Sequence, residues 1–300
     1  MTRIDAAALT RARATNPGAI TRAWRDRRRS DRPRDGRLLV IAADHPARGA
    51  LGVRDNATAM ASRGDLLERL ATALSRPGVD GVLGTADILE DLLLAGLLEG
   101  KVVIGSMNRG GLQGAEFEFD DRWTGYDAET LAANGLDGGK MLTRVCLEDE
   151  YTATVLESTG RTVTALASHG LMAMVEPFLS QRIARDQVRN LLDPDSVIKS
   201  IQIAAGLGAT SAYTWLKLPV VAEMHRVLDA TTLPSLLLGG DPVGDPERVY
   251  AQWAHALTHP TAVGLVVGRT LLFPADDDVA GAVDTAVGLV HQRTTAIGAA

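Results

Sequence analysis

The chain has 300 residues, of which 46% are hydrophobic and only 4% aromatic, with a formal net charge of −6. That length and apolar fraction suit one large α/β barrel or two smaller domains and argue against disorder. An acidic balance gives no general attraction to nucleic acid or anionic lipid. A single cysteine, Cys146, excludes an internal disulfide, so a reducing cytoplasm is the expected compartment.

Residues 1–36 hold ten arginines together with Pro17-Gly18 and Pro33. They are expected to form a helical arm that packs on the main domain or on a neighbouring subunit, with a polyanion-binding tail as the alternative. The basic run Arg27 to Arg29 precedes only a brief apolar segment, Leu38 to Ala43, too short and too late for a secretory leader. No apolar stretch approaches the ~18 residues of a membrane span.

From residue 37 to 300 the pattern predicts one catalytic domain. Short apolar segments alternate with amphipathic ones, the mark of parallel βα units. Eight strands are predicted, at 37–44, 79–85, 101–106, 138–145, 170–177, 210–217, 234–239 and 262–268. Helical stretches run between them, among them Leu66 to Leu74, Ile88 to Leu98, Tyr151 to Leu166, Val197 to Leu207, Val220 to Leu228 and Pro246 to Leu257. Asp195 and Asp245 stand near helix starts, and Gly100 and Gly208 follow helix ends. Eight repeats predict a closed (β/α)8 TIM barrel, whose catalytic face is built from the loops that follow the strands. The longest of these, Met107 to Tyr126, opens with Asn108-Arg109-Gly110-Gly111 and is expected to serve as a lid or substrate-binding segment.

Lysine is scarce: Lys101, Lys140, Lys199 and Lys217 are outnumbered by 27 arginines. Arginine stays protonated, whereas a lysine withdrawn from water or set beside another cation can lose its proton and attack a carbonyl. Strand alternation places Tyr213, Trp215 and Lys217 on one face, as it does Lys140, Leu142 and Arg144, and Met172, Met174 and Glu176. Asp44-His45 ends the first strand and Gly268-Arg269 the eighth, so charged groups from five strands converge on one rim. In that setting Lys217 can form a Schiff base with a ketone or aldehyde, Lys140 can disfavour its protonated form, and Glu176 can move protons. The seventh and eighth strands end in Gly239-Gly240-Asp241 and Gly268-Arg269-Thr270, where barrels frequently hold phosphate. No histidine or cysteine grouping has the spacing of a metal site, no G-x-S-x-G elbow is present, and no cofactor is expected.

The runs Gly138-Gly139-Lys140-Met141-Leu142, Val175-Glu176-Pro177, Trp215-Leu216-Lys217-Leu218-Pro219-Val220 and Gly268-Arg269-Thr270 resemble the class I tagatose-bisphosphate aldolase family. Archaeal-type fructose-bisphosphate aldolase and deoxyribose-phosphate aldolase are more distantly similar. The resemblance covers roughly residues 38–275 and leaves out the arm. It implies that Lys217 is the Schiff-base lysine, Lys140 the lysine of strand four, Glu176 the glutamate of strand five, Arg269 the phosphate-binding arginine and Asp44 the aspartate after strand one. Gly268, Gly239, Gly240, Asn108 and Arg109 are then further candidates for substrate or phosphate contacts. Two spacings depart from the tagatose pattern: Asp44-His45-Pro46-Ala47-Arg48-Gly49 holds two extra residues, and Lys217 to Pro219 is one shorter. In the archaeal-type register Tyr213 would stand at the lysine's place.

The chain also resembles bacterial barrel proteins associated with inositol breakdown. An aldolase there splits 2-deoxy-5-keto-gluconate 6-phosphate into dihydroxyacetone phosphate and malonic semialdehyde. The expected protein is thus a class I aldolase acting on a phosphorylated ketose or keto-acid, as an oligomer of identical chains, without nucleic-acid or membrane partners. The alternatives are a sugar-phosphate isomerase or epimerase on the same barrel and a non-catalytic barrel protein.

Overall fold

The computed structural model describes residues 4–31, 36–108, 111–239 and 245–291. Eight parallel strands close into a barrel: β1 (Leu38–Ala42), β2 (Gly81–Gly84), β3 (Val102–Ser106), β4 (Gly138–Val145), β5 (Met172–Ala184), β7 (Thr214–Pro219), β8 (Ser235–Leu238) and β9 (Ala262–Val267). The order β4-β3-β2-β1-β9-β8-β7-β5 is closed by pairing of β5 with β4, which makes this a (β/α)8 TIM barrel. Strands such as Leu-Leu-Val-Ile-Ala of β1 are buried throughout, because one face meets helices and the other meets the barrel axis. Inside the barrel Leu38, Val40, Ala42, Leu83, Ile104, Met172, Met174, Leu236 and Val266 pack together. This apolar plug fills the axis below the polar rim.

Helix ends follow from local chemistry. Asp193 and Asp245 cap helices Pro194–Ala205 and Pro246–Ala256 by accepting from the backbone N–H groups of Ser196 (2.9 Å) and Glu247 (3.1 Å). Asp195 stands near a helix start as expected, in the first turn two residues after the cap, and pairs with Arg226. Gly100 and Gly208 take the left-handed conformation expected of residues that end helices, at φ 67° and 86°. Gly264 sits at φ 145° where the β8–β9 register shifts, and a Cβ there would come within 1.9 Å of the Leu38 carbonyl oxygen, so only glycine fits.

The N-terminal helices α1 (Ala6–Thr15) and α2 (Gly18–Asp26) lie against the barrel. Leu9 and Trp24 join its outer core, and Arg13 pairs with Asp91 at 2.6 Å. The buried Arg27 guanidinium donates to the carbonyls of Lys101 (3.0 Å) and Gly135 (2.7 Å). Arginines of this segment thereby tie it to helix-to-strand turns. No helix among the described residues is long and apolar enough to cross a membrane.

Three segments differ from expectation. The fifth strand does not stop at Pro177 but runs on to Ala184, turns at Arg185-Asp186 and returns antiparallel as β6 (Gln187–Asn190). The segment 210–213 is a turn, and the strand that follows extends to Pro219, so Lys217 lies two residues inside it. Val220 to Leu228 contains only the short helix Met224–Leu228.

Candidate active site

The carboxyl ends of the strands open into a cavity of about 810 Å³. Its floor comprises Asp44 and His45 after β1, Leu142 of β4, Glu176 of β5, Lys217 of β7, Leu238 of β8 and Gly268 after β9. This is the face on which barrel enzymes carry out chemistry. Strand alternation explains the selection, since Ala42, Met174, Trp215 and Val266 point inward and residues two further along share that direction.

A buried charge cluster connects three strands. The Lys217 ammonium lies 3.0 Å from Oε1 of Glu176, and the Lys140 ammonium is bonded to Oε2 of the same carboxylate. Lys140 also donates to Oδ2 of Asp44 at 3.2 Å, and the Ser106 hydroxyl donates to that oxygen at 3.2 Å. Asp44 is 0% exposed, Lys140 1% and Lys217 2%. Two lysines and two carboxylates thus balance inside the barrel, where an unmatched charge would cost several kcal/mol. Lys217 and Glu176 reach the cavity, whereas Lys140 lies behind them.

His45 adjoins this cluster. Its Nδ1 is buried, 3.8 Å from Oδ1 of Asp44, and has no hydrogen-bond partner. Burial, followed by the positive charges of Arg269 and Lys217, holds the imidazole well below its ordinary value, so the ring is neutral at physiological pH.

On the opposite wall the loops after β8 and β9 meet. The Thr270 hydroxyl donates to the Gly239 carbonyl at 3.4 Å, and Arg269 donates to the Gly52 carbonyl at 3.4 Å. Gly239, Gly268 and Arg269 all line the cavity. A Cβ on Gly268 would come within 2.3 Å of the Ala42 carbonyl oxygen, so backbone packing alone demands glycine there. Gly240 and Arg109 lie outside the described residues.

Asn108 is placed otherwise than expected. Its amide donates to the Leu142 carbonyl at 2.6 Å and accepts from the Leu142 N–H at 2.8 Å, which fixes the start of the long loop to β4. Both ends of the amide are therefore engaged by backbone, and Asn108 is outside the cavity wall. Arg144, grouped by alternation with Lys140, turns to the same loop. It pairs with Asp121 at 2.8 Å and with Glu118 at 2.9 Å, and Glu118 also holds Arg48 at 2.8 Å. The segment after β3 is thus pinned by a buried ionic network and forms a wall. Arg144→Met is expected to destabilise the fold by about 3–5 kcal/mol, because it removes the buried guanidinium that bridges the carboxylates of Asp121 and Glu118. Denaturant unfolding checks this, and a loss below about 1 kcal/mol would contradict it.

Sequence reasoning did not single out the β5–β6 hairpin, although it supplies Phe178, Ile183, Gln187 and Asn190 to the cavity. Its signal was the alternation Phe178-Ser180-Arg182 followed by the turn residues Arg185-Asp186. Arg48 on the wall was also missed. Tyr213 precedes β7, is 40% exposed and has its hydroxyl near Gly170, just ahead of β5, so it lies at the opposite end of the barrel from the cluster. The lysine position of β7 is Lys217. Among the described residues no group of three or more histidine, cysteine, aspartate or glutamate side chains could hold a metal ion.

The barrel thus carries, on β4, β5 and β7, two lysines bridged by one glutamate. The fold matches a Schiff-base-forming fructose-1,6-bisphosphate aldolase at 18% identity and TM-score 0.63, over 91% of this chain and 100% of that one. An archaeal fructose 1,6-bisphosphate aldolase matches at 17% identity and TM-score 0.63, over 90% and 98%. The chain belongs to the Cgl0159-like family, whose model matches residues 36–287. Cgl0159 of Corynebacterium glutamicum (Brevibacterium flavum) is 55% identical, with a TM-score of 0.92 over 95% of this chain and 96% of that one. No curated protein matches the chain.

Proposed function

We propose that this protein is a class I aldolase that cleaves a phosphorylated ketose or keto-acid through an imine on Lys217, with 2-deoxy-5-keto-gluconate 6-phosphate as the candidate substrate. The observation that carries the reading is the Lys217–Glu176–Lys140 arrangement at the cavity floor. An ammonium cannot attack a carbonyl, so Lys217 must first pass its proton on, and Glu176 Oε1 at 3.0 Å is within transfer distance. Lys140 favours that transfer by opposing a second positive charge nearby.

Attack on the substrate carbonyl gives a carbinolamine, and loss of water yields the iminium. Glu176 returns its proton to the departing hydroxyl. The iminium then draws the electrons of the breaking carbon–carbon bond into an enamine, which is protonated and hydrolysed to release the second product. Arg269, which lines the far wall together with Gly239 and Gly268, would hold the phosphate.

The test is cleavage itself. Purified protein incubated with 2-deoxy-5-keto-gluconate 6-phosphate and, separately, with fructose 1,6-bisphosphate is expected to release dihydroxyacetone phosphate from at least one. Interconversion of sugar phosphates without a triose product would favour isomerase or epimerase chemistry instead. Arg269→Ala is expected to lower kcat/KM for the phosphorylated substrate by roughly ten- to a hundredfold more than for its unphosphorylated analogue, as a charge-assisted hydrogen bond is worth about 1.5–3 kcal/mol. Equal losses for both would remove the phosphate assignment.

A further inference from the structure

Carbon–carbon cleavage needs a base, and once Glu176 has returned its proton it stays paired with Lys140 and faces the iminium charge on Lys217. The hydroxyl β to the imine carbon must lose its proton as the bond breaks. Each carboxylate on the cavity floor is engaged: Asp44 by Lys140 and Ser106, and Glu176 by both lysines. Glu118, on the wall, is held by Arg48 and Arg144. Asp186 lies at the exposed tip of the β5–β6 hairpin, away from the floor.

His45 differs from all of these. It lines the cavity beside Lys217 with its side chain 23% exposed, and its buried nitrogen is Nδ1, on the Asp44 side. A proton on Nδ1 directed toward Asp44 leaves Nε2 as the nitrogen with a lone pair for the cavity. That is the tautomer a general base requires.

Resting on the aldolase reading, we propose that His45 is the catalytic base that removes the proton of the substrate's β-hydroxyl during carbon–carbon cleavage. The hydroxyl proton passes to Nε2, the oxygen electrons form the aldehyde C=O, and the carbon–carbon bonding pair moves into the iminium on Lys217 to give the enamine. The imidazolium is stabilised by Asp44, and its proton is lost to solvent after the aldehyde leaves. Charged groups facing the ring are Asp44, Lys140, Glu176, Lys217 and Arg269. Because burial and the cations among them depress its protonation, the acid limb of cleavage lies below the ordinary histidine range, and the base form persists at neutral pH.

A partial reaction separates this role from a structural one. Dihydroxyacetone phosphate has no β-hydroxyl to deprotonate, so exchange of its α-proton into deuterated water requires the imine on Lys217 but not His45. His45→Gln is expected to slow cleavage of 2-deoxy-5-keto-gluconate 6-phosphate by about 10²–10⁴-fold. Exchange with dihydroxyacetone phosphate should stay within about threefold of wild type, and the depressed acid limb should vanish from what cleavage remains. His45→Asn, read in the same way, guards against a folding defect peculiar to glutamine. Cleavage within about fivefold of wild type in either variant, or parallel loss of cleavage and exchange in both, would overturn the assignment. Failure of the wild type in both reactions would instead overturn the aldolase reading itself.

Discussion

Lys217→Arg is expected to abolish turnover and leave the fold intact. Arginine keeps the positive charge and nearly the length, so the pair with Glu176 Oε1, 3.0 Å away in the wild type, can be retained in the buried cluster. Charge balance is preserved, and no carboxylate is stranded. A guanidinium does not shed its proton at neutral pH, however, and cannot form an imine. The loss should reach the background of the assay, with thermal unfolding within a few degrees of wild type. Activity within tenfold of wild type would end the Schiff-base account.

Lys140→Met is expected to move the pH at which Lys217 becomes nucleophilic upward. An unperturbed lysine titrates near about 10.4, so fewer than about one in a thousand would be neutral at pH 7. Within the cluster two ammonium groups balance Asp44 and Glu176. Removing Lys140 removes a like charge and leaves a net negative site, and both changes make Lys217 hold its proton more tightly. Glu176→Gln reverses the sign, because the site becomes net positive and Lys217 sheds its proton more readily. That variant should still form the imine while turnover falls by about 10²–10⁴-fold for want of the proton carrier. The rate of imine formation against pH, measured for both variants and wild type, decides the point. An unchanged or lowered profile in Lys140→Met would reassign Lys140 to holding Asp44 and Glu176 in place.

The barrel was legible because its strands are short apolar runs separated by helical periods, and alternation within Gly138 to Arg144, Met172 to Glu176 and Tyr213 to Lys217 already set the lysines and glutamate on one side. Which oxygen meets which ammonium was not legible. That depends on the β4–β5 register, in which Leu142 stands opposite Glu176, and on the two extra residues through which β7 runs past Lys217. Asn108 shows the limit plainly. An asparagine opening a loop on the catalytic face has the same local signature whether its amide meets substrate or, as here, the backbone of Leu142. The hairpin wall was hidden because Pro177 reads as a strand end, whereas in the structure it lies within a strand that leaves the barrel to pair with β6.

The most direct measurement is reduction with borohydride in the presence of 2-deoxy-5-keto-gluconate 6-phosphate or dihydroxyacetone phosphate, followed by peptide mass mapping. The account requires one covalent adduct per chain, carried on Lys217 and absent from Lys217→Arg. An adduct on Lys140 in place of Lys217, or cleavage with no adduct at all, would contradict it.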